Sequence, residues 1–408
     1  MNGSTTYIYM PRIGLSQTFP TRQSRGMNHS HIIVVGAGIV GLAHARAAAR
    51  RGHSVTILDV DTAPRGASVR NFGHACITGQ TDEFAELAAA GRDQWIAAAA
   101  ESGFWAAETG AYVVATSHAQ MAVLEQARLS KAPGAIDLLT PERLATAVTG
   151  DPHARLRGAV GGAHLTADLR VDPRTAAPRI AQTLAAASAI ELRTGVRVSR
   201  VGDGVVETNR GTFTADHVIV CTGHQLPALF PELAAEAGLV ECALSMTLAA
   251  TPEHIRTDAA ILSRTSLLRY DAFSTMPAAE AVRDEVARSA PELLAVGANV
   301  MFGPRPDGTI IIGDSHVYGE NVDPFLPEST TEVLLAEAAA VLDQPTGFSI
   351  RQRWQGVYAS SESRPLIVES VDERTTVATV ATGIGMTIAF GLAERTLAGI
   401  RRADRPAA

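Results

Sequence analysis

Lysine is nearly missing from this chain of 408 residues: Lys131 is the only one, so 34 of the 35 basic residues (35 minus 1) are arginines. That removes lysine from most catalytic roles. Cysteine is scarce as well. Cys76, Cys221 and Cys242 are too few and too scattered for a disulfide framework or a zinc site, and they suit a reducing cytoplasm. No apolar run reaches the roughly 18 to 20 residues that a bilayer span requires. An excess of positive charge is also lacking. The net charge is -7, which argues against nucleic acid as a partner. What remains, 46% hydrophobic and 19% charged residues, describes an ordinary soluble globular protein, long enough for two domains or one large fold with an inserted lobe.

The informative stretch is HIIVVGAGIVGLAHARAAARRGHSVTILDVD, residues 31 to 61. Ile32, Ile33, Val34 and Val35 run into Gly36, Gly38 and Gly41 in the spacing G-x-G-x-x-G, and an Ala-rich helical stretch follows. SVTILD then reads as a second buried strand closing on Asp59, 18 residues past Gly41. Each part has a physical task. Gly36 makes the turn, Gly38 lets backbone approach a pyrophosphate, and Gly41 lets helix pack on strand. The free N–H groups and positive end of the helix face the phosphates, while Asp59 can accept from ribose hydroxyls. The pattern predicts an adenine dinucleotide site. His44 and Arg46 are expected on the solvated face of its helix.

Residues 1–27 read as a disordered extension, with Met27 a possible true start. The loop DTAPRGASVRNFGHACITGQ follows Asp59, and residues 82–109 read as two helices anchored by Trp95, Phe104 and Trp105. AYVVAT is a strand, MAVLEQARLS a helix, and TPERLATAV a helix capped by Thr140. A helix capped by Asp172 leads to several short strands ending in VIVCTG. Segments CALSMTLAAT, TSLLRYDAF and ANVMFGPRPDGTIIIGDSH are strand-like, with a hairpin turn at Pro306, Asp307 and Gly308. They predict an antiparallel sheet. After a helix at 329–342, the chain ends in a strand, then Gly383, Gly385 and Met386, then a helix. The first and last segments share the strand–Gly loop–helix form, and VIVCTG adds a third contact. Such spread suits FAD, whose length draws contacts from distant parts of a chain.

GAGIVG with Asp59, VDP at 171–173, ADHVIVCTG at 215–223, the region from WQGVY to RP (354–365) and TGIGMTIAFGLAE together resemble the D-amino-acid oxidase-type FAD-dependent oxidoreductases, the group of glycine and sarcosine oxidases. The resemblance spans about residues 31–400. RNFGHACITGQ and TGIGMTIAFGLAE look most like a subfamily associated with phosphonate breakdown. The resemblance implies an α/β (α+β overall) fold: a discontinuous Rossmann-like FAD-binding domain (28–105, 150–240 and 345–402) with an inserted antiparallel-sheet substrate domain (106–149 and 241–344). It implies oxidation of a C–H beside nitrogen, giving an imine that water hydrolyses, with oxygen or another acceptor taking the electrons. Carried over by position, the FAD contacts are Gly36, Gly38, Ile39, Val40, Gly41, Asp59, Val60, Arg70, Asn71, Phe72, Gly73, Val198, Cys221, Thr222, Gly223, Gly383, Gly385, Met386 and Thr387. With no Cys between 300 and 408, noncovalent FAD is expected.

Two departures sharpen this reading. Glycine-oxidase-like members carry arginine where Tyr358 stands, and that arginine grips the substrate carboxylate as a two-donor fork. A phenol makes no such fork, so another cation is needed for a carboxylate or phosphonate; the candidates are Arg269, Arg353 and Arg70. Sarcosine-oxidase-like members use a lysine near the flavin to help oxygen react, whereas Lys131 is expected in a surface loop. The remaining candidate active-site residues are His74, Tyr270 and His316, the last beside Tyr318. Two alternatives stay open: a 2-hydroxy-acid dehydrogenase of the same superfamily, with His74 or His316 as base, and a non-catalytic flavin-binding subunit.

Overall fold

The strand His31–Val35, the helix Ile39–Arg50 and the strand Ser54–Asp59 form as the glycine spacing requires. This chain is described by a computed structural model over residues 29–400; the expectations for residues 1–27 lie outside them. His31–Val35 sits inside a sheet of six strands, flanked in parallel by Ser54–Asp59 and His217–Val220. Ile190–Thr194 extends one side in parallel; Thr375–Val380 and the antiparallel edge strand Leu366–Asp372 extend the other. Strands covered on both faces read as continuous apolar runs, which is why Ile32, Ile33 and Val34 follow one another here. Ile32 and Val34 pack under the helices Ile39–Arg50, Asp82–Ser102, Pro173–Ala185 and Gly385–Gly399. Ile33 and Val35 point the other way, toward a small sheet carrying Val201, Val206 and Phe213.

This enclosure corrects two expectations. His44 and Arg46 are buried, not solvated, because helices close over that face. Arg46 meets both carboxylate oxygens of Glu101 at 2.8 Å, and burial pushes the His44 imidazole down to about 4. Residues 82–102 form one helix, not part of two, ended by Gly103 at φ +67°. Gly91, mid-helix, is a crossing point instead of a break. A side chain at Gly391 on the facing helix would come within 2.0 Å of the Leu87 carbonyl, and one at Gly91 within 3.1 Å of the Gly391 nitrogen.

The second large sheet has nine strands. Its order is Val317–Gly319, Val240–Ala250, Thr309–Gly313, Met301–Pro304, Ala260–Leu262, Ala111–Ala115, Gly161–Leu165 and Ile136–Leu139, with Ile350–Ser360 also paired to Val240–Ala250. All its pairings are antiparallel except Ala260–Leu262 with Ala111–Ala115. The strands Gly161–Leu165 and Ile350–Ser360 join this sheet although the expected boundaries grouped them with the FAD-binding part; their ladder partners lie here. TSLLRYDAF is not a strand. It forms a 3-10 turn, Ser266–Leu268, and a short helix, Asp271–Ser274. Hydroxyls compete with a ladder at this point: Thr265 Oγ1 accepts from Val300 N at 2.7 Å, and Ser263 Oγ from Thr265 N at 3.3 Å. The consequence is that Arg269 projects from a turn.

A buried cation braces the loop that follows the strand Ser54–Asp59. Arg170, fully buried, donates to the Phe72 carbonyl and the Pro304 carbonyl, each at 3.0 Å. It thus holds the loop after Asp59 against the larger sheet. Among the described residues no helix is long and apolar enough to cross a membrane.

Candidate functional site: a dinucleotide groove ending beside Arg269

Three distant segments converge on one groove of about 1660 Å³, counting its mouth open to solvent. Gly36, Gly38, Ile39, Val40, Asp59 and Val60 line it from the first segment, and Arg70 and Asn71 from the following loop. Val198, Cys221, Thr222 and Gly223 line it from the middle of the chain, and Gly383, Gly385 and Met386 from the last helix start. Gly41, Phe72, Gly73 and Thr387 stand behind this lining. Gly41 is the helix–strand contact, since a Cβ there would lie 1.9 Å from the Gly36 carbonyl. Gly73, at φ +68°, passes so near Val171 that a Cβ would lie 1.9 Å from its carbonyl. Thr387 accepts from Cys76 N through Oγ1 at 3.1 Å.

The groove fits a dinucleotide in detail. Gly36 has φ +103°, and a Cβ on it would lie 2.5 Å from the Cys221 carbonyl, so the turn admits only glycine. Asp59 accepts from Ala37 N at 2.5 Å and Asp61 N at 2.7 Å, which fixes its carboxylate at the end of the second strand; burial raises its pKa. First-turn N–H groups of the helix Ile39–Arg50 lack acceptors within the helix and supply an anion site. Ser68 Oγ already accepts from Ile39 N at 2.8 Å. The loop carrying Arg70 is clamped to the larger sheet: Trp354 Nε1 donates to the Arg70 carbonyl at 3.1 Å, and Gly356 leaves room for that carbonyl. Asn71 donates to the Ala67 carbonyl at 2.8 Å and accepts from Gly73 N at 2.7 Å.

At the inner end of the groove, Tyr358 meets Gly383, where a Cβ would lie 3.0 Å from the phenol oxygen. Register places Tyr358, Cys242 and Tyr318 in one row across three strands. Arg269, reaching in from its turn, donates through Nη2 to Tyr358 Oη at 3.2 Å. Among the described residues no carboxylate lies within ion-pair distance of it. Burial works against the Arg269 charge, but Tyr358, Tyr318 and Asp314 raise its pKa overall. Burial pushes Tyr358 up and Cys242 up to about 11. His316 Nδ1 pairs with the Gly297 carbonyl at 2.8 Å; burial, and then the Arg269 charge, push this imidazole down to about 3. Asp314 is pushed up to about 7 by burial, against the pull of Arg269.

Residues 31–398 match the family described as DAO, FAD dependent oxidoreductase. The chain belongs to that family. Its cofactor is FAD. A tRNA 5-methylaminomethyl-2-thiouridine biosynthesis bifunctional protein from Chromohalobacter salexigens is 29% identical over 216 residues, which is 49% of this chain and only 29% of that protein. Glycine oxidase from Bacillus cereus superposes with a TM-score of 0.72 at 15% identity, covering 91% of this chain and 94% of its own. L-alpha-glycerophosphate oxidase from Mycoplasma pneumoniae, solved with FAD bound, has a TM-score of 0.65 at 15% identity, covering 92% and 95%. These structural likenesses show the fold.

Most other candidates of this DAO-family chain lie outside the groove lining. His74 is outside the groove lining; its Nε2 meets Asp168 Oδ2 at 2.8 Å in the interior, next to Cys76, and its Nδ1 is buried without a partner. Arg353 pairs with Glu328 at 2.9 Å on the outer surface. Arg70 lines the groove and donates to the Gln355 carbonyl at 3.3 Å. Tyr270 is mostly walled in, its hydroxyl 3.6 Å from Met301 Sδ. Lys131 is not a plain surface residue. It ends the helix His118–Ser130, is half-buried, and donates to the Gln80 carbonyl. Sequence reasoning missed Ser68, Asp168, Cys242 and Asp314. Only Asp314 carried a signal, as a charged residue directly after the apolar run TIIIG.

Proposed function

We propose that this flavoenzyme oxidises the C–N bond of a small amine that also carries an acidic group, a carboxylate or a phosphonate. The observation that carries the reading is Arg269: a largely enclosed guanidinium beside the inner end of the FAD groove, with one donor used and no acid among the described residues paired to it. A buried cation calls for an anionic partner, and here substrate supplies it. Bound FAD supplies the hydride acceptor. The chain's own residues do the rest. Arg269 and the Tyr358 hydroxyl would hold the acidic group and so fix the orientation of the C–H next to nitrogen. The start of the helix Gly385–Gly399 presents N–H groups that favour negative charge there. The hydride leaves carbon with its electron pair, nitrogen forms the C=N bond, and water hydrolyses the imine to carbonyl and amine.

FAD is held noncovalently in this reading; Cys76, Cys221 and Cys242 are all free and buried. Oxygen or another acceptor reoxidises the enzyme, and a cytoplasmic setting fits the free thiols. The hydroxy-acid alternative needs a strong base at the site. His74 is engaged with Asp168 away from the groove, and His316, pushed down to about 3, is a poor proton acceptor. The deciding experiment is anaerobic addition of glycine, sarcosine, D-amino acids, 2-aminoethylphosphonate and its N-methyl form to the purified holoenzyme. One amine should bleach the visible flavin band and yield a carbonyl product. Bleaching only by hydroxy acids, or by none of the panel, would overturn the proposal.

A further inference from the structure

Behind Tyr358, at the inner end of the groove, two groups of opposite charge lack an ion-pair partner among the described residues. Arg269 spends one N–H on Tyr358. Asp314, only 5% exposed, has an enclosed Oδ1 without any hydrogen-bond partner. Among the described residues no cation lies within ion-pair distance of Asp314. Its position is nonetheless firm. Its backbone exchanges both hydrogen bonds with Asn299, at 2.8 and 3.0 Å, directly after the strand Thr309–Gly313. The Arg269 charge and the Asp314 carboxyl act on each other through space, with no ion pair between them.

The groups around them limit what can change charge. Asp314 faces Arg269 and Asn299, and its field reaches Tyr270 and Cys242. Arg269 faces Tyr358, Tyr318, Tyr270 and His316. The phenols and the thiol are pushed upward and His316 downward, so each stays neutral near neutral pH. Arg269 stays charged. Asp314 alone is left to respond.

We infer that Asp314 is a positioning residue that links anion binding at Arg269 to the uptake of one proton. The inference rests on reading Arg269 as the anchor for the substrate's acidic group. In the empty site Asp314 balances the Arg269 charge through space. When a carboxylate or phosphonate pairs with Arg269, that balance is lost and the cavity would hold two anions. Asp314 then takes a proton from water onto its carboxylate, and no other bond forms or breaks. Like charges in a poorly solvated site do not both stay ionised.

The test uses the FAD-loaded enzyme and two unreactive anions, acetate and methanesulfonate, which stay ionised from about pH 5.5 to about pH 9.5. Binding is read from the shift of the flavin spectrum. For wild type, affinity should fall toward about tenfold per pH unit on the alkaline side. Calorimetry at alkaline pH, in buffers of different ionisation enthalpy, should count about one proton taken up per anion. Asp314→Asn should flatten the profile, matching wild type at the acid end and binding about ten- to a hundredfold tighter at the alkaline end. Asp314→Glu should keep the slope. A merely structural role would change affinity alike at every pH. A flat wild-type profile with no proton uptake, or a slope that persists in Asp314→Asn, overturns the inference. Wild-type proton counting decides even if the variants do not fold. Amine turnover with proton-independent anion binding sinks this inference alone; no anion binding and no amine turnover sinks the proposed function with it.

Discussion

The two ends of the groove recognise by different means. The dinucleotide end is built from backbone. Gly36, Gly38 and Gly41 remove side chains where main chain must approach, and Asp59 is pinned by two N–H groups. The inner end is met by the Tyr358 side chain, backed by others: Arg269 from a turn, Cys242 and Tyr318 from adjacent strands, and Asp314 from the end of a further strand. A backbone cradle tolerates no added atom and holds one cofactor shape. A side-chain cluster tolerates exchange and can be retuned for substrate. Cofactor retention and turnover should therefore separate cleanly on mutation.

Gly41→Ala is expected to have the largest effect. Its Cβ would sit 1.9 Å from the Gly36 carbonyl, and that obstacle is main chain, with no side chain to swing aside. The purified protein should lack the visible flavin band and melt early. Arg269→Leu should do the reverse: it keeps its flavin but loses about a thousandfold in kcat/KM for an acidic amine, roughly the 4 kcal/mol expected for an enclosed charge contact. Equal loss of flavin in both variants would erase the contrast.

Asp314→Asn sharpens the comparison through stability. The folded protein holds this carboxyl at about 7, above its unfolded value. The folded state therefore binds the extra proton, and stability is lost as pH rises from about 4 through about 7. The variant should melt with wild type in acid and above it in alkali, by about 3 kcal/mol or less. Thermal melts at both pH values decide it. Tyr358→Phe should be milder, about tenfold in kcat/KM, since it removes one hydrogen bond to a charged group.

How much was legible in the sequence follows from the same contrast. The cradle lies in short segments, so G-x-G-x-x-G, Asp59, VIVCTG and TGIGM carry their geometry in local spacing. Ser68 escaped because its hydroxyl reaches from an irregular loop back to Ile39 N, 29 residues earlier, past a whole helix and strand. The inner cluster depends on register between strands far apart in the chain. Tyr358 faces Cys242 only because Ile350–Ser360 pairs with Val240–Ala250, and no local pattern announces that ladder. TSLLRYDAF misled for a related reason. Its apolar residues suit a strand, but the hydroxyls of Thr265 and Ser263 take the N–H groups of Val300 and Thr265, the backbone turns, and Arg269 is brought to Tyr358. His44 and Arg46 looked solvated because one helix in isolation hides the second layer packed over it.

Arg353 gives the smallest expected effect and the closest check on which arginine matters. It shares with Arg269 a residue type and a place near the substrate-side sheet. Its guanidinium, however, is 36% exposed and bound to a Glu328 carboxylate that is 57% exposed. Solvent screens such a pair, so Arg353→Ala should cost under about 1 kcal/mol in stability. It faces away from Tyr358 and the groove, so kcat/KM should stay within about twofold of wild type. The parallel measurement is steady-state turnover of Arg353→Ala and Arg269→Leu on the same amine. If Arg353→Ala is the crippled one, the anion site lies on the outer face of the sheet. The row of Tyr358, Cys242 and Tyr318 would then be packing rather than recognition.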